Sequence, residues 1–330
     1  MNNIKKSIKK YLSLALTLAL VLTVLSANSL IQPVYAAGST GPNGEFIPPG
    51  YELATDDDFE VFSPGGLHRY RYKGTKPYVV IPHKIRGEEL QGHDYYGMFE
   101  HNKIIRGVAG TNPKATNMSF MFYECESPSL DLQYLDTSNA IYMSYMFAGC
   151  KATTINLSNF NTSKVECMRS MFRYSKAKTL NLDHFDCSSL IHVDDMFYNA
   201  EATSISFKSF NVMPYDEFVA KVREREAQNK RSIPYWQASS PYMYDGTKVT
   251  SIDISNLRID GYDYDGRTEP LATDKPYRKF SLWGIVDNSN VKTIYVGNQE
   301  VKNHIEAQLK QMVDWGYGDR IPAGLKVVIK

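Results

Sequence analysis

Two consecutive stretches of the chain share one pattern: 143-MSYMFAGCKATTINLSNFNTSKVEC-167 is followed directly by 168-MRSMFRYSKAKTLNLDHFDCSSLIH-192. Aligned without a gap, they place a methionine-phenylalanine pair, an apolar strand signal and a polar corner at equivalent positions, 25 residues apart. The pair also occurs at Met121-Phe122 and at Met196-Phe197. Two independent marks in one register indicate an internal repeat, which is typical of a stacked array.

Each repeat predicts a short strand, a corner and a short helix. The strand positions alternate between apolar and polar, and the apolar ones are Leu130, Leu132, Leu135; Ile155, Leu157, Phe160; Leu180, Leu182, Phe185; and Ile205, Phe207, Phe210. The corner Asn161-Thr162-Ser163 has side chains that bond their own backbone and favour a turn before a helix. Met143, Met146 and Phe147 then follow the i, i+3, i+4 spacing of a helical face. Since no single unit buries both of its faces, we expect the units to stack around one continuous core, as an α/β repeat.

The repeat divides the chain into segments. Four regular units run from Asn117 to Asp216, with an irregular copy at Tyr96 to Phe99 and a worn copy that begins at Tyr242. The predicted segments are a signal peptide (1–36), a disordered lead (37–45), a β-rich N-terminal cap (46–95), a leucine-rich-repeat solenoid (96–298) with a helical insertion (211–240), and a helical C-terminal cap (299–330).

The first residues have the features of an export signal. Lys5, Lys6, Lys9 and Lys10 precede an apolar stretch, and Val34-Tyr35-Ala36 suits signal peptidase. An uncleaved membrane anchor is the alternative, because the apolar stretch almost spans a bilayer. No cysteine precedes Cys125 for lipidation, and the carboxyl end has no sorting motif. The expectation is a secreted protein, released or held to the cell wall non-covalently, that meets a membrane only through its signal peptide.

Charge and cysteine content narrow the classes of partner. The chain has 37 basic and 36 acidic residues, and removing the four signal lysines leaves 33 basic ones. This balance argues against nucleic acid and against an anionic membrane as partner. Cys125 and Cys150 share one repeat phase, so the sequence leaves open a disulfide between neighbouring coils or a pair of buried thiols. It also leaves open the state of Cys167 and Cys187.

The unit resembles a known family. The run from Met143 to Cys150 and the strand and turn from Leu157 to Ser163 are similar to the BspA-like leucine-rich-repeat surface proteins of bacteria. The resemblance covers roughly Val79 to Val296. It implies a curved solenoid and a role in adhesion to host or neighbouring-cell proteins, and it implies no catalytic residues.

Strand alternation also names a candidate binding surface. If Leu130 and Leu132 point inward, the outward positions form columns of small polar side chains. The candidate residues are Asp131, Gln133, Asn156, Ser158, Asn181, Asp183, Ser206 and Lys208. Such columns suit a host matrix or cell-surface protein or glycan, although similar ladders also form only to hydrate a sheet. An alternative surface is aromatic, with Tyr123, Tyr174 and Tyr198 beside the Met-Phe segments and Tyr262 and Tyr264 in a later loop.

Catalysis and metal binding have little support in the sequence. His184 and His192 with Asp194 and Asp195 are the nearest approach to a metal-ligand group, but His184 occupies an ordinary exposed repeat position. The cysteines occupy repeat phases that predict structural positions rather than a nucleophile in a cleft. We therefore predict no enzyme, no cofactor and no metal. The alternatives to adhesion are a structural cell-envelope component without a ligand and a secreted hydrolase.

Overall fold

The computed structural model describes residues 38–62, 69–110, 112–190, 192–208, 243–256 and 283–330. The described residues from Thr40 onward belong to one compact unit, Thr40–Lys330. The strands are β1 (Ser39–Thr40), β2 (Phe46–Ile47), β3 (Glu52–Leu53), β4 (Phe59–Phe62), β5 (Arg69–Tyr72), β6 (Tyr78–Val80), β7 (Lys84–Ile85), β8 (Glu88–Glu89), β9 (Gly107–Gly110), β10 (Ser129–Leu135), β11 (Thr154–Asn156), β12 (Thr179–Asn181), β13 (Ser204–Ser206), β14 (Ser251–Ile254), β15 (Thr293–Val296) and β16 (Lys326–Ile329). Among the described residues, the α-helices are α1 (Trp283–Val286) and α2 (Gln299–Asp314), and two short 3-10 helices span Asp56–Asp58 and Gly318–Arg320.

Short parallel strands form the sheets, as the repeat predicts. One sheet has the strand order β11-β10-β9-β6-β3, another pairs β12 with β13, and a third has the order β14-β15-β16. Leu130 pairs with Ile155, and Leu180 with Ile205, so both pairs keep the 25-residue offset. Two further strand pairs before the regular coils are antiparallel, β4-β5 and β7-β8. The coarse prediction of an α/β repeat with parallel strands is therefore confirmed.

The predicted helix in each repeat is wrong for the described coils, because the Met-Phe segment forms consecutive turns. Met146 N donates to Met143 O within its own coil, whereas Phe147 N donates to Met171 O of the next coil. Tyr145, which lies between Met143 and Met146, adopts the left-handed conformation with φ 57°, and a right-handed helix does not contain this conformation. The i, i+3, i+4 spacing fits two successive turns as well as a helix, so the apolar pattern alone did not separate them.

The left-handed residues also recur with the repeat. One column precedes each Met-Phe pair and the other follows it by two residues; their members are Phe120, Tyr145, Ser170, Asp195 and Glu124, Gly149, Tyr174, Asn199. In the described coils, the amides between these positions alternate between their own turn and the next coil. The Met-Phe turns of neighbouring coils are thus joined by hydrogen bonds, as the strands are on the other side. These bonds explain why residues as large as Phe120 are held at a positive φ.

The core is a column of stacked phenylalanines between the strands and the turns. Phe147 is fully buried, with its ring centroid 5.5 Å from that of Phe122 and 5.4 Å from that of Phe172. Phe99 and Phe197 extend the column at 5.5 and 5.9 Å. The methionines and leucines of each coil pack around these rings in one cluster, so the repeat builds a single continuous core.

The ends of the fold agree with the prediction in part. The helix expected at 299–315 is α2, which begins after Asn298 and buries Val301, Ile305 and Met312. Residues 38–45 differ from the predicted disordered lead, because Gly41 N bonds Glu45 O, and the buried Glu45 carboxylate accepts the amide of His83. The insertion 211–240 and the signal segment 1–36 lie outside the described residues. Within the part that is described, no helix has the length and apolarity needed to cross a membrane.

Candidate functional site

The candidate surface is the outward face of strands β10 to β13. On β10, Leu130 and Leu132 are buried while Asp131 and Gln133 are partly exposed, as strand alternation predicts. On the later strands the outward positions are exposed or partly exposed as well. All eight predicted residues therefore lie on the outward side of their coils. Hydrogen bonds divide most of them into two groups.

The first group centres on the Asp131 carboxylate. Gln133 Nε2 donates to its Oδ2 at 2.8 Å, and Asn156 Nδ2 donates from the next coil to its Oδ1 at 3.0 Å. Ser158 lies beside this group, and its amide donates to Asn156 Oδ1 at 3.2 Å. The two amide side chains therefore hold the carboxylate in a fixed orientation across neighbouring coils.

The second group centres on the Asp183 carboxylate. Ser206 Oγ donates to Oδ1 at 2.6 Å, and Lys208 Nζ forms a 2.6 Å ion pair with Oδ2. Burial by itself would raise the pKa of Asp183, but the hydrogen bonds from Lys208 and Ser206 outweigh it and hold the pKa below its ordinary value of 3.8. The negative charge is thus kept on the face and is compensated by a partner from the next coil.

The two groups are separate because β11 and β12 belong to different sheets. At this junction the His184 ring lies 2.9 Å from the carbonyl oxygen of Leu157, so an imidazole contacts this backbone oxygen. Asn181 lies beyond the junction, and its side chain accepts the amide of Asp183 at 3.3 Å. The strand ladder is therefore not continuous between the second and third regular coils, although the coils remain stacked there, because Lys178 N still donates to Thr153 O at 3.0 Å.

An aromatic cluster beside Asp131 was missed by the sequence reasoning. The Tyr51 ring lies edge-on to Tyr134 at 5.5 Å and to Tyr78 at 5.4 Å. Its hydroxyl approaches Asp131 O at 3.5 Å, and burial raises the pKa of Tyr51. Gly107 makes room for it, because a Cβ there would lie 2.5 Å from the Tyr51 hydroxyl. The one local signal was Tyr134, which follows outward Gln133 and marks the irregular register between β9 and β10.

The alternative aromatic surface lies on the turn side of the coils. Tyr174 is 49% exposed, and the Arg173 guanidinium lies 4.2 Å from the Tyr198 ring centroid and 5.0 Å from that of Tyr174. Asp195 fixes Arg173 through a 2.8 Å ion pair. Tyr262 and Tyr264 lie outside the described residues, so this surface is defined here by the Arg173 cluster.

The histidines and acids weighed as a metal site do not form one among the described residues, which include no group of three or more histidine, cysteine or acidic side chains placed to hold an ion. Asp195 instead pairs with Arg173.

Comparison with known proteins gives one match, over the repeats. Residues 94–233, less than half of the chain, match the model of a family described as "Mycoplasma protein of unknown function, DUF285". No curated protein and no solved structure matches the chain. The matched residues include the four regular coils, and they exclude strands β1 to β8 before the coils and strands β14 to β16 after them.

Proposed function

We infer that this chain is an exported leucine-rich-repeat solenoid protein that binds a protein or glycan of a host matrix or cell surface. The binding surface in this proposal is the outward strand face, with Asp131, Asn156, Asn181 and Asp183 at its centre. Parallel strands lie about 4.8 Å apart, so equivalent side chains on successive coils present a regular row of donors and acceptors. Stacked repeats commonly use such extended faces for binding.

The observation that carries the proposal is the fixed orientation of polar groups on this face. Asp131 is held by two amide side chains, and Tyr78 beside it is 40% exposed. Groups that are already oriented lose little conformational entropy on binding. Because Asp183 is neutralised by Lys208, that part of the face favours a ligand recognised by hydrogen bonds over one recognised by net charge.

A structural envelope component is the second candidate, and one observation favours it. The same hydrogen bonds that orient the face also join neighbouring coils, as Asn156 does with Asp131. If the protein is a structural component, these hydrogen bonds stabilise the stack of coils, and the strand face contacts only water. The two candidates differ in whether a surface retains the protein.

Retention on two immobilised surfaces tests the proposal. The purified protein is passed over host extracellular matrix and over the cell wall of the producing organism. The variant Ser158→Arg adds a long side chain to an exposed position on the face, and Tyr174→Arg makes the same charge change on the turn side as the matched control.

The proposal expects one surface to retain the protein, Ser158→Arg to reduce retention at least tenfold, and Tyr174→Arg to leave it unchanged. Release by Tyr174→Arg alone would move binding to the turn side. Passage of the wild-type protein through both surfaces would contradict adhesion.

A further inference from the structure

One pair of cysteines occupies equivalent positions on neighbouring coils. Cys125 N donates to Phe122 O, and Cys150 N donates to Phe147 O, both at 3.2 Å, so each cysteine ends the same turn. The coils are held in register at this point, because Lys151 N donates to Cys125 O at 2.8 Å. Both side chains are fully buried.

The distance between neighbouring coils matches the requirement of a disulfide. Stacked strands lie about 4.8 Å apart, and disulfides join Cα atoms that are roughly 4.4–6.8 Å apart. The Phe122 and Phe147 rings, three residues before the two cysteines, lie 5.5 Å apart and nearly parallel. Two thiols at equivalent positions on these coils are therefore within the range of a direct bond.

The thiols already interact with each other. The Cys150 side chain lowers the pKa of Cys125, and the Cys125 side chain, together with burial, raises the pKa of Cys150. The Cys125 thiol in turn lies 3.2 Å from Asn102 O. The other two cysteines have different neighbours, since Cys167 Sγ lies 3.0 Å from Ser144 Oγ and Cys187 occupies a different repeat phase, 62 residues after Cys125.

We propose that Cys125 and Cys150 form a disulfide cross-link between neighbouring coils. The oxidant is a disulfide, either a small molecule such as oxidised glutathione or a thiol–disulfide oxidoreductase. The Cys125 thiolate attacks that disulfide and releases one thiol. The Cys150 sulfur then loses its proton, attacks the Cys125 sulfur and releases the second thiol, so one disulfide is reduced as one forms.

The cross-link closes only one coil pair, because the next two positions of this column are Ser175 and Ala200. In the cell, the cross-link rests on the proposed export, since disulfides persist in oxidising compartments. Oxidation of the purified protein does not depend on export or on ligand binding, so the two proposals fail separately.

Peptide mapping tests the cross-link directly. Trypsin leaves both cysteines in one peptide, residues 115–151, while Cys167 and Cys187 fall in two other peptides. The reduced protein is treated with oxidised glutathione in two arms, once folded and once during refolding from denaturant. Free thiols are then alkylated under denaturing conditions. Because the thiols are buried, the refolding arm gives the oxidant access before the coils close.

We expect the peptide 115–151 to lose two hydrogens and to resist alkylation, while the other two cysteines remain reactive. The oxidised protein melts roughly 5–10 °C above the reduced one. Cys150→Ser and Cys125→Ala place in this column residues that it already contains, and each should abolish the redox-dependent shift, whereas Cys187→Ser should keep it. Two alkylated cysteines in the peptide 115–151 after both arms would overturn the proposal, as would a disulfide to any other cysteine.

Discussion

Replacing Phe147 by alanine tests the stacked core most severely. The side chain is fully buried between the rings of Phe122 and Phe172, with Phe160 at 6.3 Å. Truncation of a buried phenylalanine to alanine costs about 3–5 kcal/mol. Each aromatic ring pair that is lost accounts for about 0.5–1.5 kcal/mol of this cost. Since neighbouring coils on both sides lose their contact, we expect a loss of about 4 kcal/mol in the free energy of unfolding.

Urea unfolding followed by circular dichroism measures this loss. Phe147→Leu keeps most of the volume and should cost about 1–1.5 kcal/mol. Tyr142→Ala is the matched control in the same coil, because its ring is 38% exposed, and it should cost less than about 1 kcal/mol. A loss below about 1.5 kcal/mol for Phe147→Ala, or an equal loss for Tyr142→Ala, would refute the stacked column as the core of the repeat.

Two further predictions concern backbone strain and charge. Ser170 is buried with φ 55°, and its hydroxyl has no hydrogen-bond partner among the described residues. Ser170→Gly should therefore stabilise the protein by about 1 kcal/mol, because glycine adopts this φ without strain and leaves no buried hydroxyl unpaired. An unfolding midpoint at or below that of the wild type would contradict this prediction. The pKa of Asp183 is lowered in the folded state, so its stabilisation is present above the unfolded pKa of about 4 and is lost as the pH falls through the folded value. Asp183→Asn should therefore lower the free energy of unfolding by up to about 1 kcal/mol near neutral pH, and this difference from the wild type should disappear in acid. Urea unfolding midpoints measured from pH 7 down to pH 2 check this prediction. A difference in stability that does not change with pH would exclude the ion pair.

The register between neighbouring strands could be predicted because the same short sequence pattern recurs in every coil. The methionine-phenylalanine pair and the strand signal recur every 25 residues, and Leu130 indeed pairs with Ile155. The helix failed because a three-four spacing of apolar residues also suits two turns. What decides between them is the left-handed backbone at Tyr145 and Gly149, where only the glycine signals it in the sequence.

The site was predictable in orientation and not in pairing. Alternation places Asp131 and Asp183 outward, but their partners depend on which side chains reach across a coil, as Lys208 does. The Tyr51 contact joins positions 80 residues apart through the irregular end of β10, which no periodicity encodes. Nor does alternation reveal the sheet break at His184, because the repeat pattern continues through it.

Comparison of the strand face with the turn side in one titration tests the central claim most directly. Increasing concentrations of the wild type, Asn181→Arg and Tyr174→Arg are applied to whichever surface retains the protein, and the bound fraction gives each dissociation constant. The proposal predicts that Asn181→Arg weakens binding at least tenfold while Tyr174→Arg binds like the wild type, with equal melting temperatures for all three. Unchanged binding of a folded Asn181→Arg would contradict the assignment of the binding surface to the strand face.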